Sequence, residues 1–382
     1  MKIHTLALQN FRNHTLTHIE CSEHLNLFVG GNGEGKTSIL ESISYLCLTK
    51  SFLSSSDETI VQYGKSSFSV EGRAERDGSV SYKIIALYNN DAHEKTISIN
   101  NIILKKASEI VGRFPVVASS PEMISITMGG PAERRSFLDF VICQSSKLYL
   151  ENLIEYRRIL KQRNRILFDE KQKGTRNREL IEPWNEALAV SGATLILRRR
   201  DFLIEFKPHV VHAYNRIAGK EEKPSLTYLP SVTGIETESQ KVMQEQILRQ
   251  LEVASAREYK LGLTLVGPHR DDVEFAINEK PMRKFASQGQ HKTLLVALKI
   301  AEFYFLQEKC REAPILLLDD VFSELDPQRS YRLLEVVESL GQSFITSTTD
   351  SFLNNHFDGK NHNKRIVVSG GSVGKVCSDV AH

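Results

Sequence analysis

GGNGEGKT, residues 30–37, carries the strongest fold signal in the chain. Gly30, four residues, then Gly35, Lys36 and Thr37 have the spacing of a P-loop. Upstream, Leu25, Asn26, Leu27, Phe28 and Val29 read as a short buried strand; downstream, Ile39, Leu40, Ile43 and Leu46 recur at helical spacing. Strand, glycine loop and helix are the context this chemistry requires. Gly30, Gly31, Gly33 and Gly35 let the backbone turn, so that N–H groups of the loop, Asn32 and Glu34 included, cradle phosphate oxygens at a helix N-terminus. Lys36 then reaches the β- and γ-phosphates, and the Thr37 hydroxyl ligates Mg²⁺. A glycine-rich turn matching by chance is the competing reading.

About 280 residues further on stands ILLLDDVFSELD, residues 315–326. Ile315, Leu316, Leu317 and Leu318 form the continuous apolar run of a parallel strand covered on both faces. Asp319 and Asp320 fall at its carboxyl end, where α/β sheets place their chemistry. One carboxylate there holds Mg²⁺ and the next polarises an attacking water; order along the strand assigns Asp319 to the metal and Asp320 to the water. Two acids merely capping a strand end are the alternative.

Composition narrows the class. A length of 382 residues suggests about two to three domains. Lys and Arg number 49 against 47 Asp and Glu, a net charge of +2, so any nucleic-acid surface must be local. Cys21, Cys47, Cys143, Cys310 and Cys377 form no C-x-x-C pair, which points to reduced thiols and a cytoplasmic protein. His4 and Gln9 interrupt what a signal peptide would keep apolar, and no run is long enough to span a bilayer, so no membrane is expected as a partner.

Between the half-sites the pattern changes. Residues 68–74, 80–88 and 95–103 are β-rich, with turns expected at Asp77-Gly78 and Asn89-Asn90, and read as an antiparallel meander flanking the P-loop sheet. After Pro131 helical periodicity runs to Leu167, and a second block runs from Trp184 to about Ile217 after a polar break at 171–182. A polar stretch at 233–250 precedes a strand expected at 261–266. Ser287-Gln288-Gly289-Gln290 then opens a helix with the apolar face Leu294, Leu298, Ala301 and Phe305. A serine hydroxyl and glycine N–H groups at a helix start make a second phosphate-binding surface, with an ordinary helix cap as the alternative. One P-loop already serves one triphosphate, so the second surface suits the nucleotide of a partner molecule. Phe344, Ile345 and Thr346 look like a further core strand.

P-loop, long insertion, SQGQ, LLLDD, SELD and STT, in that order, resemble the head of ABC-type ATPases. LQNFRNH (8–14), GGPAERRSFLD (129–139), LKQRN (160–164), GPHRDD (267–272) and FASQGQHKT (285–293) narrow the resemblance to the RecF family of recombination mediators. The fold implied is α/β: a P-loop ABC-type ATPase head, residues 1–118 and 258–382, with an inserted mainly α-helical lobe at 119–257. By this resemblance Ser287, Gly289 and Gln290 belong to the signature motif that closes on the γ-phosphate of the other subunit. Residues 323–326 are the D-loop, Arg12 and Asn13 lie beside the nucleotide, and Lys36 and Asp320 carry catalysis. Asp320 stands where many ABC ATPases have glutamate, and the shorter carboxylate implies slow hydrolysis. Thr346, Ser347, Thr348 and Thr349 occupy the place of a switch histidine, and Ser120-Pro121-Glu122 is the candidate Q-loop, without its glutamine.

The family implies a weak, DNA-stimulated ATPase that needs ATP and Mg²⁺ and dimerises on ATP. It binds single-stranded DNA and junctions of single- and double-stranded DNA, and works with recombination mediator proteins to load a recombinase at gaps. Arg157, Arg158, Lys161, Arg163 and Arg165, with a second cluster at Arg198, Arg199 and Arg200, are the candidate phosphate contacts; a solvated helix face paired with Glu151, Glu155 and Asp201 is the bland reading. Arg134 and Arg135 suit packing or DNA, and His269 suits the site or a structural role. A transporter subunit, a coiled-coil chromosome-organising ATPase and a non-hydrolysing nucleotide sensor share the head. Pro183, Gly192, Pro208, Gly219 and Pro224 interrupt the heptads that the coiled-coil class needs.

Overall fold

A computed structural model describes residues 1–53, 56–76, 78, 80–232, 239–348 and 363–374. Asp77, residues 233–238, Thr349 and Cys377, each part of an expectation above, lie outside the described residues. Two compact units result: Met1–Ile124 with His212–Glu221 and Ser287–His382, and Ser125–Val211 with Glu222–Ala286.

In chain order the first unit opens with β1 (Lys2–Phe11), β2 (His14–Glu20), β3 (Leu25–Val29), α1 (Lys36–Leu48) and the short α2 (Asp57–Ile60). It continues with β4 (Ser67–Arg76), β5 (Val80–Asn89), β6 (Glu94–Ile99), β7 (Ile102–Ile103) and β8 (Val116–Ser119). The second unit supplies α3 (Ser125–Met128), α4 (Pro131–Ser145), α5 (Lys147–Lys173) and most of α6 (Arg178–Ala218). It also holds β9 (Pro224–Leu229), α7 (Gln240–Leu261), β10 (Asp272–Ile277), β11 (Lys280–Pro281) and α8 (Met282–Phe285). The chain returns to the first unit with α9 (Gln288–Cys310), β12 (Ile315–Asp319), α10 (Pro327–Glu338), β13 (Ser343–Ser347), β14 (Lys364–Ser369) and β15 (Ser372–Val373).

The site-bearing sheet has the order β15-β14-β3-β13-β12-β8, parallel except for β15. Every residue of β3, β8, β12 and β13 is buried, as expected for strands covered on both faces. Each buried leucine of β12 contributes about 1.5–3 kcal/mol, so an aspartate at Leu317 would break the sheet at its centre. Register then positions the chemistry: Asp319 pairs with Thr346, and both lie at the carboxyl end beside the loop that follows β3.

The second sheet of this unit, β2-β1-β4-β5-β6-β7, is antiparallel and includes the expected meander. The buried residues of β1 are Ile3, Leu6, Leu8 and Phe11, with an irregularity in the ladder between Ile3 and Thr5, and Phe11 joins Tyr45 of α1 and Phe68 of β4 in edge-on aromatic contacts. Strands β1 and β2 have no counterpart in the expectations above, and their turn holds Arg12 at φ 54°.

The second unit is mainly helical, with a three-stranded sheet β11-β10-β9. Ser146 caps α5 by accepting from the Tyr149 N–H, and Gly174 ends it at φ 68°. Four expectations need correction here. Pairing of β10 with β9 keeps residues 258–286 in this unit, so the first unit resumes at Ser287 rather than 258 and extends to Ile124 rather than 118. The strand expected at 261–266 is absent, because α7 runs to Leu261 and Gly262 caps it at φ 76°; the strand forms at 272–277. The break expected at 171–182 shrinks to the residues between Lys173 and Arg178. Pro183 and Pro208 do not interrupt the helix: both lie inside the 41-residue α6, so they do not argue against a long helix here.

Candidate nucleotide site

The loop after β3 bends where only glycine fits. Gly35, the N-cap of α1, has φ 107°, and a Cβ there would lie 2.6 Å from His14 Nε2. The Lys36 ammonium donates to the Gly30 and Gly31 carbonyls at 2.9 and 2.7 Å, folding over the loop it serves. Thr37 Oγ1 donates to Asp319 Oδ1 at 2.8 Å, so the two distant motifs meet directly. Thr346 Oγ1 donates to the same oxygen at 2.7 Å and accepts from the Asp320 N–H at 2.9 Å. Burial pushes the Asp319 carboxyl above its ordinary value, and the Thr346 and Thr37 hydrogen bonds pull the other way. Asp320 leaves the strand at φ 49°, and its carbonyl accepts from Ser323 Oγ.

An open cleft of about 1170 Å³ joins Asn32, Gly33, Gly35, Lys36 and Thr37 to Asp319 and Asp320, with Arg12 and Asn13 at one side. Ser120, Pro121 and Glu122 line it too, as does Gln62, whose amide donates to Thr15 Oγ1 at 2.9 Å. Arg12 is aimed by Glu41, which accepts from its Nε and Nη2 at 2.8 and 2.6 Å; Asn13 Nδ2 donates to the Gly33 carbonyl at 3.2 Å. Glu34 turns away: its carboxylate accepts from the Gly370 N–H, while its carbonyl accepts from the Gly371 N–H at 3.0 Å. The tight turn at Gly370-Gly371 thereby clasps the loop, with Gly371 at φ 72° and no room for a Cβ, which would lie 2.1 Å from the Asn13 carbonyl. The donor set fits the groups the motifs imply. A hydroxyl and a carboxylate oxygen meeting at 2.8 Å are the hard ligands Mg²⁺ takes, and the Lys36 ammonium, folded over the glycine loop, suits a polyphosphate.

Of the switch candidates, Thr346 is a buried strut beneath both aspartates, Ser347 is buried, and Thr348 is exposed and lines the cleft. Sequence reasoning missed Glu41 and His14. His14 is fully buried, contacts the Gly35 carbonyl at 3.0 Å and Thr17 Oγ1 at 3.0 Å, and has its pKa lowered by burial. Glu41 carried a readable signal, the one acid of α1, one turn after Thr37.

Ser287, Gly289 and Gln290 do not line this cleft. They form a capping box: Ser287 Oγ accepts from the Gln290 N–H at 3.2 Å, and Gln290 Oε1 accepts from the Ser287 N–H at 2.9 Å. Ser287 and Gly289 are exposed. Arg329 donates to the Gly289 carbonyl and to Thr293 Oγ1, and pairs with Asp326, the N-cap of α10, tying this segment to 323–326.

The basic candidates of the second unit separate sharply. Arg163 is 2% exposed and binds Glu258, Asn185 and Thr264, so it cannot meet a ligand and is withdrawn as a DNA contact. Arg199 is likewise buried against Asp139 and Asp271. Arg157, Arg158, Lys161 and Arg165 are exposed, with Arg158 paired to Glu155 at 2.6 Å. Arg134 holds Asp272 with two bonds, a packing role, and His269 bonds Tyr156 and the Thr264 carbonyl, a structural one.

Residues 2–368 match the RecF/RecN/SMC N terminal domain family. The chain is 42% identical over 351 residues to the DNA replication and repair protein RecF of Chloroherpeton thalassium, covering 91% of this chain and 95% of that one. It is 36% identical to the RecF protein of Ruminiclostridium cellulolyticum, over 98% and 99% of the two chains. A solved structure described as the recombination mediator protein RecF-ATP in the RecFOR pathway superposes with a TM-score of 0.89, at 33% identity, over 98% of this chain and 97% of that one. An SMC head bound to the C-winged helix domain of ScpA shares the fold at 14% identity and a TM-score of 0.58. The chain belongs to the RecF family, and its first unit is an ATPase head of the kind RecF and SMC proteins share.

Proposed function

We propose that this chain is an ATP-dependent DNA-binding protein of DNA replication and recombinational repair, which ATP assembles into a homodimer. It acts on single-stranded DNA and single/double-strand junctions, with recombination mediator proteins, to help load a recombinase at gaps. The observation that carries the reading is the split between half-sites: Lys36, Thr37, Asp319 and Asp320 share one cleft, whereas Ser287, Gly289 and Gln290 lie outside it with Ser287 and Gly289 exposed, ready for the nucleotide of a second copy.

Thr37 and Asp319 would hold Mg²⁺, whose charge, when bound, neutralises the phosphate oxygens. Lys36 exchanges its two carbonyl partners for phosphate oxygens, and Arg12, aimed by Glu41, faces the nucleotide. Asp320 accepts the proton of the attacking water; its short side chain makes turnover slow, so the ATPase is weak and rises when DNA stabilises the dimer. Exposed Arg157, Lys161 and Arg165 supply phosphate contacts.

The test compares Asp320→Asn with Lys36→Ala by light scattering with and without ATP, by ATPase rate, and by binding to gapped and single-stranded DNA. Asp320→Asn should keep ATP binding and the dimer while losing about 100-fold or more in rate. Lys36→Ala should lose both. A wild-type protein that stays monomeric at saturating ATP, or an Asp320→Asn protein that hydrolyses normally, rejects the scheme.

A further inference from the structure

Away from the nucleotide cleft, the second unit holds a recess of about 230 Å³ whose polar lining is Arg135, Ser136, Asp139, Arg157, Arg199 and His269. Three guanidinium groups face one carboxylate there. Arg199 is committed: it bonds Asp139 at 2.8 Å and the Pro268 carbonyl at 2.6 Å, and lies 3.5 Å from Asp271. Arg157 reaches the other oxygen of Asp139 only at 3.4 Å and remains largely exposed. Arg135 donates to the Asp271 carbonyl at 2.6 Å, and among the described residues no carboxylate lies within ion-pair distance of it. His269 adds no charge. Because the Thr264 carbonyl can only accept, Nε2 carries the ring proton and Nδ1 accepts from the Tyr156 hydroxyl, and burial holds the ring neutral down to a pKa of about 4.

With Asp271 counted beside Asp139, three guanidinium groups meet two carboxylates, which leaves one surplus positive charge, and the exposed Arg157 stands at the mouth. Burial, and then repulsion by Arg199, lower the pKa of Arg135 against the attraction of Asp271, Asp272 and Asp139, so an anion in the recess would further stabilise this cation. We propose that this recess grips a backbone phosphate of DNA, with Arg135 and Arg157 as a two-armed guanidinium clamp. Fork-shaped donors from two different helices suit a tetrahedral oxyanion better than a point charge would. From its mouth, Arg157, Lys161 and Arg165 continue along α5 at intervals of four residues, about 6 Å each, all exposed. A repeating polyanion matches that row, whereas a free phosphate would use the recess alone.

The inference rests on the DNA-binding reading above, and one experiment separates the two. The full-length chain, with ATP, is titrated with fluorescent gapped DNA over a salt series, as wild type, Arg135→Gln, Arg135→Lys and Ser136→Glu. Ser136 is exposed, so its glutamate repels a phosphate without touching the core. Arg135→Gln and Ser136→Glu should weaken binding about tenfold and flatten the log affinity against log salt slope by about one, while Arg135→Lys keeps most of that slope. Melting temperature and ATP binding should match wild type, which a merely structural role would not allow. Wild-type binding with all three variants unchanged overturns the clamp and leaves the DNA reading intact; a wild type that binds no DNA overturns both. Inorganic phosphate is titrated in parallel: saturable binding lost in Arg135→Gln, with an unchanged DNA slope, would assign the recess to free phosphate and overturn the DNA clamp.

Discussion

Replacing Arg163 by methionine tests how the helical unit is held together. The Arg163–Glu258 pair is 2.5 Å apart, with the side chains 2% and 0% exposed. Arg163 also donates to Asn185 and Thr264 at 2.8 Å each, and the other Glu258 oxygen accepts from the Leu265 N–H at 2.7 Å. Removing the guanidinium leaves a buried carboxylate with one remaining backbone donor, a loss of about 3–5 kcal/mol. For a unit of roughly 150 residues each kcal/mol moves the melting point by about 2–4 °C, so Arg163→Met should lower it by about 6–20 °C in differential scanning calorimetry. The double change Arg163→Met with Glu258→Leu should recover most of that loss, since an apolar pair of similar volume carries no desolvated charge. The salt slope of DNA binding should stay at the wild-type value at a temperature where the variant is folded. A melting point within about 2 °C of wild type would mean that the buried pair does not hold this unit together, and a slope flatter by about one would mean that Arg163 meets DNA after all.

Thr346→Val keeps the shape of the strut but removes both of its hydrogen bonds, one of them to a carboxylate. The Mg²⁺ concentration for half-maximal ATPase should rise on the order of tenfold, and an unchanged requirement would show that Thr37 alone orients Asp319. Asp319→Asn keeps an acceptor for both threonines but removes a carboxylate whose pKa is raised by burial. Since a raised pKa means that the ionised form opposes folding, the metal-free variant should melt at or above wild type at pH 8. The gap should close as the pH falls toward the raised value and the wild-type group protonates; a gap that widens in acid would contradict this. Gly371→Ala places a Cβ against the Asn13 carbonyl at φ 72°, and should lower stability by about 1–3 kcal/mol and weaken ATP binding through the Glu34 clasp. Unaltered nucleotide affinity in a destabilised Gly371→Ala protein would confine the clasp to folding.

The strand and helix around the P-loop, the β12 run and β13 were legible because their signals are local: a continuous apolar run, a fixed glycine spacing, a 3.6-residue period. What was not legible depends on partners far along the chain. No local feature shows that β10 pairs with β9 and so keeps 258–286 out of the ATPase head. Nor does periodicity tell an exposed arginine from a buried one: Arg163 and Arg165 are two residues apart in one helix, and only the position of Glu258 on α7 consumes the first. Pro183 and Pro208 misled because a proline removes one N–H from the ladder, and a 41-residue helix absorbs that loss. The contact between Thr37 and Asp319 was inferable from motif chemistry, whereas the strut beneath it was not, since Thr346 stood among several hydroxyls with equal claim.

The strand that carries the P-loop has both its sheet neighbours, β13 and β14, supplied by the far end of the chain. On a ribosome, β3 emerges about 300 residues before either neighbour, an interval of about 15–60 s at ordinary elongation rates. During that time the five residues of β3 wait without their sheet neighbours, and the helical unit, complete by Ala286, has all its residues before either neighbour is made. The full set of site residues therefore exists only once β12 and β13 have been made. The parallel sheet of the ATPase head can therefore close only after the helical unit is complete, whereas β1, β2, β4 and β5 of the antiparallel sheet are all available early.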